Sequence, residues 1–140
     1  MTRALVSVAL VALCGCASAM NGSNVSFTLR SVPDGAHFEV RDAATPSAPP
    51  REGTTPYPLY LPRGAGFFTA AKYQIALSKE GYESRTIQLR SFVSGWWFVN
   101  LLFLPPGWFA MAFIDPANGA MWGIDTPAQP IALPAKPASQ

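Results

Sequence analysis

The sequence has few of the residues from which most active sites and metal sites are built. Its 140 residues include two cysteines and one histidine, fewer than the four Cys or His ligands that a structural zinc site takes. No G-x-S-x-G nucleophile motif, P-loop or dinucleotide-binding glycine motif occurs. The single histidine, His37, lies beside Glu39 on the polar face of a predicted strand, as an ordinary surface residue does. We therefore expect no catalytic residues, no metal and no cofactor, and a protein that is not an enzyme.

Charge is also scarce, since Asp, Glu, Lys and Arg make up 13% of the chain and the formal net charge is +2. No basic patch with interleaved aromatic residues is present, so nucleic acid is not an expected partner. Between Arg90 and Asp115 the chain carries no charged residue over 24 positions. A chain of 140 residues gives room for one domain of ordinary size. The charge-free stretch is therefore a substantial part of that domain.

The amino terminus has the pattern of an export signal. Arg3 gives it a positive start, and residues 4–13 form a ten-residue apolar run that is too short to span a bilayer. The Leu-Cys-Gly-Cys sequence at residues 13–16 resembles the lipobox of bacterial lipoproteins. The resemblance implies that residues 1–15 are a signal peptide and that Cys16 receives acyl chains such as palmitate, which together anchor a protein stably. The alternative is an ordinary secretory signal, cleaved at the Ala-Ser-Ala run of residues 17–19.

Lipidation of Cys16 also bears on location and on the mature fold. Residue 17 is Ala and not the Asp that retains lipoproteins in the inner membrane, so the resemblance implies the bacterial outer membrane, on its periplasmic side. Cys14 leaves with the signal, and the mature chain then has no free thiol for a disulfide. Residues 16–24 are expected to form a lipidated, flexible tether.

Residues 25–90 show the alternation of apolar and polar residues that is typical of strands. Pro33 and Gly35 predict a tight hairpin between the first two strands, and Gly81 predicts a hairpin between the last two. The pattern therefore predicts a mainly β fold, a small antiparallel sandwich or sheet of about five strands. These strands are expected at residues 25–30, 36–41, 57–61, 72–77 and 86–90.

Three turn motifs in this stretch resemble those of the PEGA domain, a small bacterial β module. They are Pro-Asp-Gly-Ala at residues 33–36, Gly-Thr-Thr-Pro at residues 53–56 and Lys-Glu-Gly-Tyr at residues 79–82. The resemblance makes residues 25–90 a PEGA-like β domain, with an additional loop at residues 42–52. It implies an adhesion or interaction module without an active site.

Residues 96–114 form an apolar, aromatic segment within residues 91–125. A helix of that length would rise about 28 Å, close to the hydrocarbon thickness of a bilayer, but Pro-Pro-Gly at residues 105–107 interrupts it. We therefore expect a short hydrophobic hairpin that can be helical. Three interpretations stay open: the hairpin packs on the sheet, it dips into the membrane beside the lipid anchor, or it is a kinked transmembrane helix. In the second case the membrane-contact residues are Trp96, Trp97, Phe98, Trp108 and Phe109, because aromatic rings favour the interface.

The carboxyl-terminal part begins with Asp-Pro-Ala-Asn-Gly at residues 115–119, which predicts a turn that Asp115 caps. Residues 126–140, rich in proline and alanine, are expected to be disordered. The whole pattern predicts an envelope lipoprotein with a structural or protein-interaction role, and its partners would be membrane lipid, other envelope proteins or peptidoglycan. The alternative is a module that binds peptidoglycan or another polysaccharide, with Tyr57, Tyr60 and Tyr82 as stacking platforms.

Overall fold

The computed structural model describes residues 16–102 and 106–137, so the predicted signal peptide lies outside the described residues. The protein is mainly β, with 43% strand and 20% helix, as the sequence predicts. It divides into two compact units, each built from segments distant in sequence. The helices are α1 (Cys16–Asn21), α2 (Gly95–Val99), α3 (Pro106–Phe109) and α4 (Asp115–Asn118). The strands are β1 (Asn24–Leu29), β2 (Ser31–Val32), β3 (His37–Asp42), β4 (Arg51–Thr54), β5 (Tyr57–Pro62), β6 (Gly64–Gly66), β7 (Thr69–Ala70), β8 (Tyr73–Ser78), β9 (Arg85–Gln88), β10 (Ser91–Val93), β11 (Trp122–Ile124) and β12 (Ile131–Ala132).

The first unit, called the sheet unit, contains Ser26–Tyr60, Lys72–Arg90 and the chain from Asp125 onwards. Its main sheet has four antiparallel strands in the order β4-β3-β8-β9. Phe38 pairs with Leu77, and Ile75 lies opposite both Val40 and Ile87. Phe38, Ile75 and Leu77 are fully buried, because the period of two places alternate side chains of each strand on one face.

The predicted strands are all present, and the β8–β9 hairpin over Gly81 is confirmed. The predicted hairpin between the first two strands is wrong, since β1 pairs with β5 and β3 pairs with β4 and β8. The backbone amides of the turn donate hydrogen bonds to Thr55 instead. Gly35 N donates to the carbonyl oxygen of Thr55 at 3.0 Å, and Ala36 N donates to the Thr55 hydroxyl at 3.1 Å.

The prediction that residues 126–140 are disordered is wrong for much of the segment. β12 pairs in parallel with β2, and Ile131 and Leu133 are buried. The amides of these two residues donate to Arg30 O and Val32 O at 2.9 and 2.8 Å. The alternation leaves the prolines at 130 and 134 in positions where the ladder requires no amide donor, so they do not break the pairing.

The second unit, called the aromatic unit, contains the chain up to Val25, Leu61–Ala71 and Ser91–Ile124. The prediction that residues 16–24 form a flexible tether is wrong, because α1 spans six of them and packs against α2 and α4. The charge-free stretch forms two short helical segments, as predicted. The first is α2 followed by a 3₁₀ turn at Asn100–Leu102; the second runs from α3 through a π-helical turn at Ala110–Ile114 into α4.

The predicted turn at residues 115–119 is the last helix and its cap. α4 ends at Asn118 and is capped by Gly119, whose φ of 80° is in the left-handed region. Asn118 Oδ1 accepts a hydrogen bond from Ala120 N at 2.9 Å, and the Asp115 backbone carbonyl accepts one from Met121 N at 3.4 Å. The carboxylate of Asp115 is buried and bonds to Ser18 and Asn100 instead. Among the described helices, none has both the length and the apolar composition needed to cross a membrane.

Candidate membrane-contact surface

The aromatic unit exposes large apolar side chains to an unusual degree. Leu102 is 79% exposed and Met20 is 62% exposed. Soluble monomers rarely leave large apolar patches in water, and where they do the surface commonly binds a partner or a membrane. Twelve large apolar residues of this unit are exposed, namely Met20, Phe67, Phe68, Phe92, Val93, Trp96, Phe98, Leu101, Leu102, Trp108, Phe109 and Phe113.

Charge is almost absent from the same unit. Among its described residues only Arg63 and Asp115 carry a charge at neutral pH. Asp115 is fully buried, while Arg63 is half-buried and desolvation of its guanidinium lowers the pKa of that residue. Apart from the partly exposed Arg63, the described outer surface of the unit is therefore apolar or neutral.

Polar groups lie inside this unit. Asp115 Oδ1 accepts hydrogen bonds from Ser18 N at 3.1 Å and from Ser18 Oγ at 2.6 Å, and its Oδ2 accepts one from Asn100 Nδ2 at 2.7 Å. Asn118 Nδ2 donates to Ser18 Oγ at 2.6 Å. The donors of Ser18 and Asn100 compensate the carboxylate for the water that it loses on burial. The interior of the unit therefore holds a hydrogen-bonded polar cluster beside apolar residues such as Leu61 and Met121, while its exposed surface is largely apolar.

The same contacts hold α1 in place. Besides the Ser18 bonds, Asn21 Nδ2 donates to Ala120 O and to Trp122 O, both at 2.9 Å. Cys16, the predicted lipidation site, is the first residue of α1. An acyl group at this residue would therefore be attached to the aromatic unit itself.

Four of the five predicted membrane-contact residues are exposed, by 46% for Trp96 and by 51–53% for Phe98, Trp108 and Phe109. Trp97 differs. It is half-buried, and its indole Nε1 donates to Met111 O at 2.9 Å, which joins the two helical segments. Composition alone did not single out Leu101, Leu102 and Phe113 within the segment, nor the distant Phe67 and Phe68.

The three predicted stacking tyrosines lie in the sheet unit at two separate places. Tyr57 and Tyr60 are 44% and 65% exposed and line a concavity of about 220 Å³ with Arg51 and Glu52. Tyr82 is half-buried and lines a different, open cleft of about 640 Å³. That cleft is also lined by His37, Lys79, Glu80 and Lys136.

His37 lies on the surface, as predicted, with Nε2 at 4.0 Å from a carboxylate oxygen of Glu52. Among the described residues, no group of three or more His, Cys, Asp or Glu side chains could hold a metal ion.

No protein-family model, curated protein or solved structure matches this chain. The likeness to PEGA domains and to the lipobox therefore rests on the motifs themselves, and both stay predictions.

Proposed function

We propose that this protein is a lipid-anchored component of the bacterial envelope whose aromatic unit lies in the membrane interface. The observation that carries the proposal is the apolar, nearly uncharged exterior of the unit that contains Cys16, whose one described carboxylate is buried in a hydrogen-bonded cluster. The sheet unit would then serve a structural or interaction role towards other envelope components, as the PEGA-like motifs imply. Outer-membrane residence, facing the periplasm, belongs to the same proposal.

The energetic reason is the apolar surface. Each square ångström of apolar area kept in water costs roughly 25 cal/mol relative to an apolar surrounding, so half-exposed Trp and Phe side chains gain by entering a bilayer. Trp96 and Trp108 suit the interface because an indole has a large apolar ring and one polar N–H. The short helices suit shallow insertion, and several acyl chains on Cys16 would make the attachment stable.

The test removes the lipid anchor and asks whether the protein surface alone binds the membrane. Residues 1–16 are replaced by a cleavable secretory signal, so the mature chain starts unlipidated at Ala17, and membranes are extracted with carbonate. We expect the chain to stay with the membrane. Release into the soluble periplasm would show that the aromatic unit is not a membrane element.

Matched substitutions sharpen this result. Placing a charge on the proposed contact surface, as in Trp108→Glu or Phe109→Asp, should release the unlipidated chain, because a charge is costly in the interface. Tyr60→Asp is the control, since this residue is at least as exposed but belongs to the sheet unit. Equal release by all three variants would contradict the proposal. Sucrose-gradient separation of the lipidated protein from the two membranes tests outer-membrane residence.

The alternative function is glycan binding by the sheet unit. Its support is the pair Tyr57 and Tyr60, both exposed beside Arg51 and Glu52 in one concavity, where a sugar ring could stack and form hydrogen bonds. Retention on purified sacculi that falls at least tenfold in Tyr57→Ala and Tyr60→Ala would support it. Absence of retention in the unsubstituted protein would exclude it.

A further inference from the structure

The β6–β7 hairpin presents two phenylalanines at its tip. Phe67 and Phe68 are 58% and 47% exposed, and their rings meet edge to face with centroids 4.9 Å apart. Phe68 has a φ of 52°, in the left-handed region that bulky residues avoid. The Thr69 hydroxyl fixes the tip by donating to Phe67 O at 3.1 Å. The hairpin thus holds two exposed aromatic rings at its tip, one of them on a strained backbone.

The base of the hairpin carries the only positively charged side chain among the described residues of this unit, Arg63. Its backbone closes the hairpin, since Ala71 N donates to Arg63 O at 3.0 Å. Its guanidinium donates to Asn24 O at 3.1 Å through Nε and to Trp122 O at 3.4 Å through one terminal nitrogen. A guanidinium has five N–H donors, and within the described part of the chain the others have no hydrogen-bond acceptor.

The hairpin is fixed to the helical part of the unit. Gly64 lies against Gly119 at the end of α4, so closely that a Cβ on Gly64 would stand 2.8 Å from Gly119 Cα. Two backbones can approach this closely only where both residues lack a side chain. The hairpin and the helices therefore form one body within the aromatic unit.

We propose that the hairpin of residues 63–71 is a second membrane-inserting element, in which Phe67 and Phe68 enter the acyl boundary and Arg63 binds a lipid phosphate. This inference rests on the proposed membrane function and adds its own lipid contact. Phe67 lies four positions after Arg63, a span of at most about 13 Å along a strand. An interfacial element buries its apolar side about 5–10 Å deep, so a tip at that depth leaves the guanidinium near the phosphates.

A bilayer fits this hairpin better than a protein partner does. Residues 61–71 contain no charge besides Arg63, so a protein surface would find little to pair with electrostatically. A phosphate accepts hydrogen bonds from a guanidinium in a matching, two-pronged geometry. The wholly apolar tip and the single cation at the base thus correspond to the acyl and headgroup layers of a membrane.

The insertion is tested by depth-dependent fluorescence quenching. Phe67→Cys is made in the full-length protein, which is isolated lipidated, labelled with bimane and reconstituted in phosphatidylcholine–phosphatidylglycerol vesicles. Once Cys14 has left with the signal peptide and Cys16 is acylated, the new cysteine is the single reactive thiol. Lipids carrying a spin label at a shallow acyl carbon should quench the probe at residue 67. A probe at Ser47→Cys, exposed in the β3–β4 loop of the sheet unit, should respond to iodide in water instead.

A third probe, at Trp108→Cys, separates the two proposals. Quenching by lipid at residue 108 but not at residue 67 would overturn the hairpin proposal and leave the membrane function standing. Absence of lipid quenching at both positions would overturn the membrane function. Quenching at residue 67 that depends on protein density, and not on spin-labelled lipid, would overturn lipid insertion in favour of contact with a second copy of the chain.

The proposed contact between Arg63 and a lipid phosphate is tested separately. Vesicles of digalactosyldiacylglycerol form bilayers without phosphate, and there the insertion equilibrium of the tip should fall about fivefold, as expected for losing one cation–headgroup interaction. Arg63→Gln should give the same fall in phospholipid vesicles, whereas Arg63→Lys should keep most of the insertion. Arg90→Gln, an exposed arginine of the sheet unit, is the control. Equal quenching in both lipids and in Arg63→Gln would overturn the role of Arg63.

Discussion

Ser18 donates two hydrogen bonds to one carboxylate oxygen of Asp115, from its backbone N at 3.1 Å and from its hydroxyl at 2.6 Å. The two residues are 97 positions apart, so this contact closes the aromatic unit between segments that are distant in the chain. It joins α1, which begins at the predicted lipidation site, to the helix α4. The stability of the unit should therefore depend on this carboxylate.

Replacing Asp115 by Ala should lower the free energy of unfolding by roughly 3 kcal/mol. Ser18 Oγ and the buried Asn100 amide would lose their acceptor, and hydrogen bonds to a charged group contribute more than neutral ones. Asp115→Asn keeps one acceptor oxygen and should be affected less. Urea unfolding followed by tryptophan fluorescence measures both variants. Asp125→Ala, at an exposed position, should stay within about 0.5 kcal/mol, and a similar loss in that control would contradict the argument.

The sequence predicted the elements whose cause is local. Strands β3, β8 and β9 follow from alternation, and the β8–β9 hairpin follows from Gly81, whose φ is 81°. The break of the charge-free stretch into short helices follows from its prolines and glycine. The strand order could not be predicted from local sequence, because it depends on long-range contacts. The amides of the turn at Gly35 and Ala36, for example, donate to Thr55, which lies about twenty residues later in the chain.

The candidate surface was predictable only in part. Composition identified Trp96, Phe98, Trp108 and Phe109 as apolar and aromatic, but it could not decide whether they face a core or the solvent. That direction depends on which groups occupy the interior, and here Asp115 and Asn100 are among them, both with exposures of 1% or less. A single aspartate in an apolar segment has no periodic signal, so this buried polar cluster becomes visible only in three dimensions.

The contact between Gly64 and Gly119 should make Gly119 far less replaceable than Gly81. The two φ values are 80° and 81°, so alanine at either position meets the same backbone strain of about 1 kcal/mol. A Cβ at Gly119 would also stand 2.6 Å from Gly64 N, whereas at Gly81 it would meet nothing within 4 Å. Gly119→Ala should therefore cost about 1–3 kcal/mol more than Gly81→Ala in urea unfolding. Equal losses would show that Gly64 and Gly119 do not pack closely in solution.

Tyr73 should make stability fall at alkaline pH. Burial of its side chain, with a smaller contribution from the charge of Asp42, raises its pKa from 10.0 to about 12. The folded state thus holds the phenolic proton more tightly than the unfolded state. The associated stability is complete below pH 10 and is lost as the pH rises towards 12, by roughly 1–2 kcal/mol. Urea unfolding at pH 9 and at pH 11.5 should show this loss in the unsubstituted protein and a smaller one in Tyr73→Phe; an identical pH dependence in the two would contradict it.

The strained backbone at Phe68 allows the aromatic tip to be altered at little cost in stability. Among the described non-glycine residues only Phe68 has a positive φ, so glycine relieves strain there and relieves none at Phe67. Both substitutions remove one exposed ring and the same edge-to-face contact. Phe68→Gly should therefore be more stable than Phe67→Gly by about 1 kcal/mol in urea unfolding. In carbonate extraction of the unlipidated chain, however, both should be released more readily than the unsubstituted chain. A variant that folds at least as well and binds membrane less would separate the lipid contact of the hairpin from its role in the fold; retention equal to that of the unsubstituted chain would argue that the tip lies outside the membrane.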